Sequence, residues 1–268
     1  MDSAAWLVAD DPVVGIVDPT SEATDRSDRE TARAIDAALA ERSDDGTIVT
    51  GALGEVVAEA SLLVAIGASG LSAVTRTETD CPVLPVGPAP GIETVAPTAL
   101  SSAIGAVLDG TAVERQRPLL SVESGTESTS IDRELALFDV TLVADEPARI
   151  SEYSVRSHGE EIAQFRADGV VVATPAGSYG YARAVDGPQL SGAIDAVAVT
   201  PIAPFVTTTR RWVLPDDDLT LGVERDGEIC LLADDRPVGT IDAGDNVSVG
   251  VAGTLSTLVV PEMDQPKQ

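Results

Sequence analysis

Strand and helix patterns alternate along the chain as far as Gly110, and short apolar runs broken by turn residues follow it to Val260. The change of period divides the chain. Val13–Val17 is a short apolar run suited to a buried strand. Ser27-Asp28-Arg29-Glu30 then has the form of a capping box, followed by Ala32, Ile35, Ala38 and Leu39 at helical spacing, with Gly46 beyond the stop. Leu62–Ile66 predicts a second strand, ending in Gly67-Ala68-Ser69-Gly70, and Val83–Val86 predicts a third. Thr98 is placed to cap a helix whose Leu100, Ile104, Val107 and Leu108 share one face. Strands alternating with helices predict a parallel, Rossmann-like α/β sheet over residues 1–110. The runs at 119–122, 137–143, 150–155, 170–173 and 197–200, with more beyond, predict an all-β sandwich over 111–260. Helical texture returns only after Ser178. Residues 121–130 read as a flexible loop and 261–268 as a frayed tail.

Composition narrows the function classes. With 268 residues, 44% of them hydrophobic, the chain can bury a substantial core. It has no uninterrupted apolar run of about 18 residues, so no membrane span is expected. Residues 1–11 carry acidic but no basic side chains, unlike a secretory signal, and a cytoplasmic location is expected. Forty-four acidic residues face 17 basic ones, a net charge of −27, and Lys267 is the only lysine. The apolar content argues against disorder, leaving an acid-coated folded protein. Such self-repulsion suits a halophilic cytosol, where molar salt shortens the Debye length to about 3 Å; an acidic mesophilic protein is the alternative. The charge also argues against nucleic-acid binding. Cys81 and Cys230 lie far apart without metal-ligand spacing and read as buried thiols, with a disulfide or reactive thiol as the lesser reading. His158, the sole histidine, reads as a hairpin-tip residue rather than a base, and a zinc site is not expected.

The most informative segment runs Asp168-Gly169-Val170-Val171-Val172-Ala173-Thr174-Pro175-Ala176-Gly177-Ser178-Tyr179-Gly180-Tyr181. It describes a buried strand, a glycine-containing turn and a short helix, whose N-terminal N–H groups suit an anionic or polar ligand. By itself such a turn is equally a structural loop. The segment resembles, however, the NAD kinase motif in which Asp-Gly precedes a strand and Thr-Pro-Thr-Gly-Ser-Thr-Ala-Tyr. Asp186-Gly187-Pro188 resembles that family's Gly-Gly-Pro, and Thr200-Pro201-Ile202-Ala203-Pro204 its Thr-Pro-Ile-Cys-Pro. Collinear similarity also covers residues 82–87, Gly91-Ile92-Glu93-Thr94-Val95, Leu108-Asp109-Gly110 and Arg115, roughly Val13 to Val260 in all. The resemblance implies an N-terminal nucleotide-binding α/β domain and a C-terminal NAD-binding β-sandwich. It also implies transfer of a phosphoryl group from ATP or polyphosphate to the 2′-hydroxyl of the NAD adenosine ribose, giving NADP, with Mg²⁺ or another divalent cation. NAD-binding positions carried over are Asp168, Thr174, Ala176, Ser178, Tyr179 and Tyr181, the last near the adenine. A homo-oligomer assembled through the β-domain is a further implication.

The family's reacting residues are replaced. Where it has Gly-Gly-Asp-Gly-Thr, this chain has Gly67-Ala68-Ser69-Gly70-Leu71. Gly67, Ala68 and Gly70 stand at phosphate-loop positions, while Ser69 replaces the aspartate expected as base. A neutral hydroxyl cannot take that role without its own activating base. Phe138-Asp139 replaces Asn-Glu, Tyr179 stands at a threonine, and Phe205 stands where histidine is common. Asp139 is the leading candidate for base or metal contact and Asp168 the second, with no metal ligand set defined. Three readings follow: a divergent NAD kinase, a catalytically silent NAD(P)-binding relative, and a fold reused for another ligand. Asp234-Asp235-Arg236 resembles a family Asp-Gly-Gln turn and reads equally well as a plain exposed hairpin.

Overall fold

The computed structural model describes residues 12–19, 26–42, 46–125, 130–144, 150–225 and 228–261. The chain forms two compact units, one made of the residues up to Arg117 with those from Thr254 on, the other Pro118–Gly253.

In the first unit β1 (Val13–Val17), β2 (Thr47–Val49), β3 (Leu62–Ile66) and β4 (Val83–Val86) form a parallel array in the order β2-β1-β3-β4. Helices α1 (Arg26–Arg42), α2 (Leu53–Glu59), α3 (Gly67–Thr75) and α4 (Leu100–Leu108) connect and cover them. Apolar strands such as Leu62-Leu63-Val64-Ala65 are buried throughout, as a parallel sheet with covered faces requires. Ile35, Ala38 and Leu39 from α1 and Leu100, Ala103, Ile104 and Val107 from α4 complete the core. Helix α1 begins at Arg26, so the expected cap at Ser27 falls inside the first turn. Thr98 lies in a 3₁₀ turn, Pro97–Ala99, and the residue capping α4 is Ala99. β2 and α2 had no counterpart in the sequence reading, because 3 and 7 residues are too short to show a period.

The second unit comprises antiparallel strands. β7 (Asp139–Ala144), β10 (Gly169–Ala173), β11 (Ala196–Ile202), β12 (Trp212–Pro215), β14 (Ile229–Ala233) and β15 (Arg236–Ile241) form a six-stranded sheet in the order β12-β11-β10-β7-β14-β15. Opposite it are β5 (Val113–Gly125), β6 (Ser130–Ala136), β8 (Ser151–Ser157), β9 (Glu160–Ala167), β13 (Leu219–Val223) and the long β16 (Asn246–Val259). A core containing Leu120, Leu142, Tyr153, Phe165, Val172, Leu221 and Leu231 fills the sandwich. β10 is apolar on both faces for a reason: Val170 and Val172 enter this core, while Val171 and Ala173 pack with Ala182, Leu190, Ala198 and Ile202.

Three expectations change. The boundary falls at Arg117/Pro118 rather than Gly110, and β16 leaves the second unit at Thr254, where Thr257 pairs with Val83 of β4. The loop expected over 121–130 is instead the end of β5 and the start of β6; residues 126–129 lie outside the described residues, as do 262–268 of the expected tail. Cys81 and Cys230 form no disulfide with each other and are half-buried rather than buried. Burial pushes the Cys81 thiol up to about 11, against a backbone hydrogen bond at Leu63, so it stays a thiol. His158 does sit at the β8–β9 hairpin tip, with positive φ and Nε2 3.3 Å from Asp217 Oδ1. No helix among the described residues is long and apolar enough to cross a membrane.

Candidate functional site

The first unit holds Gly67, Ala68, Ser69 and Gly70. They open helix α3, which starts at Gly67, whose φ is +66°, and continues directly through Ser69. A Cβ at Gly70 would lie 2.9 Å from the Val17 carbonyl oxygen and 3.2 Å from the Ala65 carbonyl carbon. That glycine therefore permits close helix–strand packing. Ser69 is exposed on the first turn.

In the second unit the motif wraps around one backbone segment, residues 137–139. Ala173, the last residue of β10, pairs with Asp139, the first of β7, so the turn beginning at Thr174 leaves the sheet beside Asp139. The fully buried Thr174 donates its hydroxyl to Leu137 O at 2.7 Å and its N–H to Phe138 O at 2.9 Å. Its Oγ1 also accepts from Gly177 N–H at 3.1 Å. A Cβ on Gly177 would lie only 1.8 Å from Phe138 O, so this glycine serves contact with protein backbone. Ser178 is fully buried as well, donating to Pro175 O at 2.7 Å and accepting from Leu190 N–H at 2.9 Å. Ser178→Ala leaves that amide unpartnered and is expected to lower stability by about 1–3 kcal/mol in a urea titration. An unchanged midpoint would mean that Leu190 has another acceptor.

The motif's exposed groups lie further along. After a 3₁₀ turn, Gly177–Tyr179, the short helix α5 (Tyr181–Ala184) begins. Ala176 is buried, Tyr179 is half-buried, and Tyr181 is 40% exposed. Asp186, where the family has glycine, takes φ +62°, a conformation that aspartate tolerates better than most residues.

Asp139 is the buried acid of this group, 6% exposed, with Oδ1 accepting from Thr141 Oγ1 at 2.9 Å. Burial pushes its carboxyl up to about 7, the Thr141 hydrogen bond opposes this, and the charges of Asp234 and Asp235 add to it. Those two residues form the β14–β15 turn, both at positive φ. The Tyr181 phenol is also pushed up, by partial burial first and then by Asp139, Asp235 and Asp168. Asp168 itself precedes β10 and so lies at the far end of that strand from Asp139, roughly 17 Å along it at about 3.4 Å per residue. There its carbonyl accepts from the buried Tyr153 hydroxyl at 3.3 Å.

The structure thus gathers Asp139, Thr174, Ala176, Ser178, Tyr179 and Tyr181, while Asp168, at the other end of β10, bears on the group through its charge on the Tyr181 phenol. Sequence reasoning missed the buried state of Asp139 and the arrangement of Asp234. The Asp-Asp turn was visible, but its contacts lie about a hundred residues away in the chain. Among the described residues no group of three or more His, Cys, Asp or Glu side chains is arranged to hold a metal ion.

The yeast NADH kinase complexed with NADH shares this fold at a TM-score of 0.77 and 19% identity, covering 94% of this chain and 84% of the other. An NAD kinase from Archaeoglobus fulgidus in complex with ATP matches at a TM-score of 0.71 and 18% identity, over 91% of this chain and 92% of that one. Residues 137–260 match the ATP-NAD kinase C-terminal domain. An NAD kinase from Citrifermentans bemidjiense is 30% identical over 215 residues, 76% of this chain and 74% of the relative. The chain belongs to the NAD kinase family. A shorter match, to the NAD kinase of Nitrosospira multiformis, has 30% identity over 60% of this chain and 55% of that protein. The chain spans about half the length of such curated relatives.

Proposed function

We propose that this protein is an NAD kinase-type phosphotransferase, moving the terminal phosphoryl group of ATP or polyphosphate to the 2′-hydroxyl of the NAD adenosine ribose. Asp139 carries this reading. A carboxyl buried beneath the motif turn and shifted to about 7 is tuned to accept a hydroxyl proton near neutrality, where an exposed carboxylate is too weak a base. Ser69, a neutral hydroxyl at the family's aspartate position, leaves Asp139 as the base. Tyr181 and Tyr179 present ring surface to the dinucleotide, while Thr174 and Ser178 shape the turn. A divalent cation would enter with the donor's phosphates, as Mg²⁺ commonly does. It would supply charge neutralisation for phosphoryl transfer, and no proton step depends on it.

A second reading, a non-catalytic NAD(P)-binding relative, is favoured by one observation: the first turn of α3 carries the exposed hydroxyl of Ser69 and no carboxylate. We also propose a cytoplasmic, halophilic protein that forms homo-oligomers. The net charge of −27 supports the first part, and exposed Phe205, Val206 and Val213, the last on edge strand β12, support the second.

The test is NADP formation from NAD in molar KCl with Mg²⁺ and either donor. Asp139→Asn is expected to lower turnover by about 10²–10⁴-fold, and Ser69→Asp to raise it. Saturable NAD binding by folded wild type without turnover would select the second reading. Failure to bind any nicotinamide dinucleotide would sink both.

A further inference from the structure

The β14–β15 turn does more than reverse the chain. The Asp234 carboxylate accepts the backbone N–H groups of Leu137 at 2.8 Å, Phe138 at 2.7 Å and Asp139 at 3.2 Å. In return the Asp234 N–H donates to Asp139 O at 3.0 Å. Successive N–H groups converging on one anion form a nest, a concavity that proteins otherwise use for phosphates. Here a side chain 95 to 97 positions away fills it. The opposite side of the segment is held by Thr174, through Leu137 O and Phe138 O. Residues 137–139 are therefore gripped from a hairpin and from the motif turn at once. A turn aspartate that only stabilised its own reversal would engage the turn's own amides.

We propose that Asp234 is the positioning residue of this site: its carboxylate fixes the backbone from which Asp139 projects, and so the place where the Asp139 carboxylate meets the substrate. This rests on the reading of Asp139 as the base. Asp234 touches no reacting atom in this role. The charged and polar groups that face Asp139 are Asp234 and Asp235 from the hairpin, Thr141 from its own strand, and Tyr181 from α5. Removing the charge of Asp234 should therefore ease ionisation of Asp139.

The experiment compares Asp234→Ala and Asp234→Asn with wild type for kcat, KM, pH profile and amide hydrogen exchange at residues 137–139. Asp234→Ala is expected to lower kcat by about 10²-fold, as misplacement of a catalytic group by about 1 Å can, with KM for NAD changed less than about threefold. Asp234→Asn keeps one acceptor oxygen and is expected to retain more turnover, with the acidic limb of its kcat profile moved to lower pH. Exchange at Leu137, Phe138 and Asp139 should accelerate in Asp234→Ala. Unchanged exchange protection overturns the proposal whatever the activity. So does an unmoved acidic limb in both variants with kcat lost only in proportion to unfolded protein. If Asp139→Asn turns over as fast as wild type, the base reading fails separately, and that result is distinguishable because the exchange measurement needs no turnover.

Discussion

Gly177→Ala is expected to destabilise the second unit by at least about 3 kcal/mol, the upper end for overpacked sites. The new methyl would sit 1.8 Å from Phe138 O, 2.4 Å from the Phe138 carbonyl carbon and 2.9 Å from its Cα. All three are backbone atoms. Their segment is pinned by Asp234 on one side and Thr174 on the other, so it cannot withdraw without breaking the hydrogen bonds that hold it. A flexible side chain in that place would swing aside at small cost; a clamped carbonyl cannot. The turn must lift instead, and NAD binding is expected to weaken with it. Gly105→Ala is the matched control. Nothing lies within 4 Å of a Cβ there, in the interior of α4, so about 0.5–1 kcal/mol of stabilisation is expected. Thermal unfolding in molar KCl reads both. Equal midpoints for the two variants would show that the turn does not lie against Phe138.

Asp139→Asn should make stability less dependent on pH. The Asp139 carboxyl sits at about 7 in the folded chain against an ordinary 3.8. Between those values the folded state holds a proton that the unfolded state releases. The stabilisation tied to that proton is complete below about pH 4 and is lost as pH rises through 7. Above about pH 8 the wild type carries a buried, ionised carboxylate beside two further acids, and asparagine does not. The variant is therefore expected to be more stable there by about 4 kcal/mol, the free energy of that displacement, with the advantage vanishing towards about pH 4. Denaturant titrations from about pH 5 to about pH 9 measure the difference. A difference that stays flat with pH would mean that Asp139 is not a buried titrating group. The expected trade of stability for activity at this residue is what a functional acid held in an unfavourable place predicts.

Much of the architecture was legible because its signals are local or collinear. Leu62–Ile66 and Val83–Val86 are strands as their apolar runs indicate, and the helix through Leu100, Ile104 and Val107 follows from its spacing. The motif from Asp168 to Tyr181 forms the strand, turn and short helix that its sequence describes. Other features were not legible for a common reason. Gly70 stands at a phosphate-loop position, and it is also small because Val17 and Ala65 press on it, neighbours that come from strands of the sheet beneath. Thr174 and Ser178 stand at NAD-binding positions, and their hydroxyls meet Leu137 and Pro175 carbonyls inside the protein.

By itself the sequence determined the two-part architecture, the family, and the replacement of the expected aspartate by Ser69, since each depends on residue identity and order. Only the tertiary structure decided that Asp139 is buried and shifted toward neutrality, that Asp234 grips its backbone, and that β16 returns to the first unit. Burial, proton affinity and a three-amide clamp are properties of neighbours brought together from distant parts of the chain, and no local pattern encodes which neighbours those will be.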